Sequence, residues 1–95
     1  MTLTHDILER VRHDFPTEEV APVTAMLTEL QHQNAELFCD RILRCLVFVA
    51  RGRFTAFADA VALARLDYRD LIVSAEYDRN WHQIRDLNRP FENAA

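Results

Sequence analysis

NAELFCDRILRCLVFVARG, residues 34 to 52, decides the fold. Read at about 3.6 residues per turn, Phe38, Ile42, Cys45, Leu46 and Val49 share one wide apolar face, and Leu43, Val47 and Phe48 carry it almost all the way round. The spacing predicts a single helix from about Ala35 to Arg51, with Asn34 as its cap. A helix apolar on nearly every side is covered by neighbours on several sides or by a partner subunit. Asp40, Arg44 and Arg51 leave only a polar strip, and Asp40 and Arg44 are spaced for an i,i+4 pair. Gly52, the only glycine in the chain, stands where a left-handed residue would end such a helix.

Outward from this segment the same periodicity repeats. Ile7, Leu8, Val11 and Phe15 line one side of a first helix, about Thr4 to His13, with His5, Glu9, Arg12 and His13 on the other. Phe15-Pro16 breaks it. Thr17 with Glu18 and Glu19 marks the next start, a hydroxyl cap with negative charge at the positive dipole end, although Pro22 moves the expected regular helix nearer Ala21. After Gly52, a fourth helix spans about Phe54 to Leu66, with Phe54, Phe57, Ala58 and Val61 on one side. Asp67 then caps a fifth, with Asp70 in a box-like position and Tyr68, Leu71, Ile72 and Ala75 inward. Trp81, Ile84, Leu87 and Phe91 recur at helical spacing in the polar tail, about residues 79–95, and predict a short docked helix.

Composition agrees. A chain of 95 residues holds one domain. One glycine and three prolines are too few for the corners of a β-sandwich or barrel. The expected architecture is all-α, a compact bundle of four or five helices around a central apolar one. The net charge is −4 and every basic residue is arginine, a balance that argues against a phosphate-binding surface and so against nucleic acid. The longest apolar run, Cys45 to Ala50, is too short for a membrane span. Cys39 and Cys45, six residues apart on one helix, would stand about 9 Å apart along its axis, beyond disulfide reach. Two free thiols, and an opening without a basic segment and apolar run, point to the cytoplasm.

Sites for chemistry are sparse. His5, Glu9 and His13 lie at i, i+4 and i+8 on one face, a spacing that can share a metal ion, but no further ligand set is apparent and a solvated helix surface is by far the better reading of them. Glu29 and His32 form one Glu-x-x-His step, where di-iron bundles use two with further carboxylates. Neither cysteine has a base beside it in sequence, and one glycine at a helix end makes no phosphate loop. No catalytic residue, cofactor site or metal site is assigned. The richest surface is Asp67, Tyr68, Arg69 and Asp70 with Glu76 and Tyr77, whose tyrosines and arginine suit a protein-binding patch. In the alternative, Asp67 caps, and Arg69 and Glu76 pair with charges such as Arg41 or Arg44.

Arg41 to Asp78, above all RCLVFVARG (44–52) and LDYRDLIVSAEYD (66–78), resembles a group of small uncharacterised bacterial helical proteins. In these a helix ends at a glycine, a short helix follows, and an Asp-aromatic-Arg-Asp turn leads into an Ala-Glu-Tyr helix end. The likeness covers about two-fifths of the chain, rests on Asp67, Tyr68, Arg69, Asp70, Ala75, Glu76 and Tyr77, and brings no activity with it. The expectation is a non-enzymatic protein–protein interaction module, self-associating as a homodimer. Its rivals are an immunity or antitoxin-type inhibitor of a bacterial effector, and a small metal- or thiol-dependent enzyme using His5, Glu9, His13 or Cys39.

Overall fold

The computed structural model describes residues 3–91; the part of the tail at 92–95 lies outside them. Four helices follow one another: α1 His5–Asp14, α2 Thr17–Gln33, α3 Asp40–Ala50 and α4 Phe54–Glu76. No β-strand occurs among the described residues, apart from one isolated antiparallel bridge between Tyr77 and Gln83. The architecture is all-α. Helix α3 packs chiefly on α4, and α1 bridges α2 and α3. The radius of gyration, 12.4 Å, is that of a well-packed domain of this length.

α3 is the centre, as its sequence requires. Ile42, Leu43, Cys45, Leu46, Val47 and Ala50 are all buried, and the chain covers them by itself. The all-round apolar character of this helix therefore does not call for a partner subunit. The helix is shorter than expected. Asn34 leaves helical space at φ −154°, ψ 86°. Its Oδ1 accepts the Leu37 N–H and its carbonyl accepts the Phe38 N–H, so residues 34–38 close one isolated turn instead of continuing a helix. Cys39 is extended and precedes α3. The turn places Phe38 in the core at 2% exposure.

Pro22 sits inside α2 without ending it. The carbonyl it leaves without a partner belongs to exposed Glu18, where water can take the bond. The helix accordingly starts at Thr17, which is its first residue and not a hydroxyl cap. After α3 the chain turns through Arg51 and Gly52, both left-handed (φ 49° and 78°). A Cβ on Gly52 would overlap the carbonyl oxygen of Asp14 at the end of α1, so the residue serves both the backbone conformation and a close approach.

α4 bends at Asp67, whose φ and ψ of −159° and 99° are not helical. The two arms, 54–66 and 68–76, correspond to the fourth and fifth helices of the sequence reading. Phe57, fully buried, meets Phe15 edge to face at 6.3 Å. Beyond Glu76 the expected docked helix does not form. The Asp78 carboxylate accepts the N–H groups of Asn80 and His82, and the Asp86 carboxylate accepts that of Asn88. These side-chain turns displace helical bonds. The tail instead makes a tight reversal at 78–82 and returns over the body as an irregular strap, with Leu87 buried. No helix among the described residues is long and apolar enough to cross a membrane.

Candidate interaction surface

The six residues singled out from the sequence fall into two places. Asp67, Tyr68, Arg69 and Asp70 form the corner where α4 bends. Glu76 and Tyr77 stand at the far end of the second arm, about 12 Å along its axis from Tyr68 at 1.5 Å per residue.

At the corner, the Asp67 Oδ1 accepts the Arg69 backbone N–H at 3.1 Å and the Arg69 Nε at 3.1 Å. These bonds cap the second arm and hold the Asp67 carboxyl below the usual carboxylate range. Asp70 is exposed and adds no bond back to Asp67, so the reciprocal box is not closed. Tyr68 is half exposed, and Leu66, one position before the bend, is 85% exposed. An apolar side chain that open forms part of no core. Beside the corner runs a groove of about 550 Å³ lined by Leu37, Ile42, Tyr68 and Ile72 together with Cys39, Arg41 and Asn88.

Glu76 corrects the sequence reading. It is 0% exposed and takes no part in a surface. Its carboxylate receives Arg41 Nε at 2.9 Å, Arg41 Nη2 at 2.8 Å and Gln83 Nε2 at 2.8 Å, a bidentate pair completed by an amide from the strap. The pairing with Arg41 was among the expected alternatives. Tyr77 is half-buried at the end of the arm, and its N–H donates to the Val73 carbonyl.

A second charged contact links the strap to α1. Arg44 is buried at 5% exposure; it does not pair with Asp40. Its Nε reaches Asp6 Oδ2 at 2.8 Å, and its Nη1 donates to the Leu87 carbonyl at 3.3 Å. Asp6 Oδ2 also accepts the Phe91 N–H at 3.0 Å. Burial alone would raise the Asp6 pKa, but the bonds from Arg44 and Phe91 outweigh it and bring it down to about 2. Arg85 donates to the Ala75 carbonyl and lies 4.3 Å from the Phe48 ring centre, while Arg10 lies 4.8 Å from that of Phe91.

The remaining candidates for chemistry are scattered. His5 Nε2 is 3.9 Å from Glu9 Oε1, while His13 turns to Asp14 at 2.9 Å. Glu29 accepts a bond from Gln33. Among the described residues no three His, Cys, Asp or Glu side chains converge as metal ligands. Cys45 is buried, and burial pushes its thiol up to about 12, with the Glu76 charge adding to the shift. Cys39 is exposed, and both thiols are free.

Sequence reasoning used Leu66 only to mark the end of the fourth helix and did not single it out as an exposed apolar residue, which its position one step before the bend makes it. It also missed the Arg44–Asp6 contact, which spans 38 positions. Comparison with protein-family models, with curated proteins and with solved structures gives no match.

Proposed function

We propose that this protein is a non-enzymatic protein–protein interaction module whose contact surface is the corner at Leu66–Asp70 together with the adjoining groove, and that one of its partners is a second copy of itself. The observation that supports this reading is Leu66 at 85% exposure and Tyr68 at 48%, beside a groove with Leu37, Ile42 and Ile72 in its walls. Tyrosine and arginine are the residue types favoured at interface hot spots, and Leu66 adds exposed apolar area beside them. The Asp67 carboxylate is held by Arg69, while exposed Asp70 leaves a free acidic group at the corner that favours a partner with a basic group there.

The test is a paired capture from the native host, with the wild-type chain and L66E/Y68E as baits. A protein retained by the wild type and reduced at least tenfold by the double substitution is the expected result. Identical retention by both baits rejects the surface. Light scattering up to millimolar concentration reads self-association separately, and a strict monomer removes the second copy from the reading.

A further inference from the structure

The strap is built like a separate ligand seated on its own protein. Its bonds complete two buried charges and a half-buried one: Gln83 on Glu76, the Leu87 carbonyl on Arg44, and the Phe91 N–H on Asp6. Leu87 is its buried apolar anchor. It joins the helices only through the reversal at 78–82, where Trp81 takes φ 63°. That conformation belongs to glycine or asparagine and is strained for a bulky aromatic. Trp81 and Ile84, at 72% and 52% exposure, find no cover in the single chain.

We propose that two copies of this chain exchange straps: the reversal opens, and the segment from Gln83 to Phe91 of each copy occupies the seat on Glu76, Arg44 and Asp6 of the other. The argument rests on identity of chemistry. The seat already receives this segment within the chain, so the same bonds form between copies at no loss. Opening the reversal releases the strain at Trp81. It also lays two hinge segments side by side, where Trp81 and Ile84 of both copies can bury one another. A short strained hinge is the recurrent setting for such exchange. The inference rests on the proposed self-association and supplies its mode; the strap reaches the groove beside the Leu66–Asp70 corner through Asn88.

Two full-length chains test it. One is wild type, with Cys39 lining the groove; the other carries C39S, N88C and an affinity tag. Cys39 and Asn88 line the same groove, so a short bis-maleimide joins wild type to variant when position 88 of one copy sits in the groove of another, and repeating the mixture with L66E/Y68E in both chains removes any product that comes from docking at the corner. Buried Cys45 stays silent. After mixing at a concentration where light scattering shows dimers, the expected product on a denaturing gel is the mixed covalent dimer, well above either like-with-like product. W81G, which removes the hinge strain, lowers its yield roughly tenfold. Deletion of Arg79 and Asn80, which stops the strap from folding back, gives a dimer at every concentration. Dimers that yield no mixed product overturn strap exchange and leave self-association standing, as do like-with-like products of equal abundance. A chain monomeric throughout overturns both. A deletion variant that keeps its helical circular dichroism yet stays monomeric also overturns the exchange; if it does not fold, the mixed cross-link decides.

Discussion

Phe57 and Glu76 lie on the same helix and both are 0% exposed, yet they hold the molecule in opposite ways. The first arm of α4 buries Phe57, Ala60, Val61 and Ala64 against apolar neighbours, a contact that is strong and indifferent to direction. The end of the second arm buries a carboxylate and, with it, one fixed position of Arg41 and Gln83. The strap has few apolar side chains to bury, and its place is set instead by bonds that work in a single register. Burying such charges adds little net stability when they are paired and removes much when one partner is lost. The helical body should therefore lose stability in proportion to the apolar volume removed, whereas the strap should lose it when one partner of a charged pair is taken away and recover it when both are.

The largest effect tests the body. Phe57→Ala should cost about 3–5 kcal/mol in urea unfolding, and a loss below about 1 kcal/mol would mean that the first arm is not the main store of apolar contact. Arg41→Leu comes next, at about 3 kcal/mol, because it leaves Glu76 buried without its cation. The double substitution Arg41→Leu with Glu76→Leu should recover at least half of that loss. If the double variant is as unstable as the single one, the charges hold the strap by more than their pairing.

Acid gives the third test. Asp6 binds a proton less readily in the folded chain, near pH 2, than in the unfolded one, near 4. Its contribution is thus complete above pH 4 and lost as the pH falls from about 4 to about 2, by about 1–2 kcal/mol. Asp6→Asn should flatten this part of the stability profile, and an unchanged profile would separate the strap from α1. The smallest effect is at the corner, where Leu66→Glu should alter stability by less than about 0.5 kcal/mol. A larger loss would make Leu66 a structural residue and weaken its assignment to an interface.

Local signals in the sequence were legible, and distant ones were not. Gly52, the break at Phe15-Pro16 and the cap at Asp67 each depend on a few adjacent residues, and each stands where the pattern puts it. Pro22 misled because its cost depends on whether the freed carbonyl meets water, a property of exposure. Asn34 has the residue type of a cap for a long helix, but its side chain closes a single turn. The tail shows helical spacing of apolar residues, but Asp78 and Asp86 spend their carboxylates on nearby backbone N–H groups and win over periodicity. Of the candidate surface, the Asp67–Asp70 corner was legible from residue type. Glu76 was misplaced because its partners, Arg41 and Gln83, lie in other segments, and charge alone suggested exposure.

Gly52 carries a consequence for the mutational history of the chain. Every other amino acid brings a Cβ to a spot the end of α1 already fills, so no replacement is mild there, alanine included. Arg51 and Arg53 on either side are exposed and face no such obstacle. A saturation library selected for soluble expression should show its deepest depletion at position 52, a shallower one at left-handed position 51 and none at 53, a narrow bottleneck created by one carbonyl oxygen thirty-eight residues upstream.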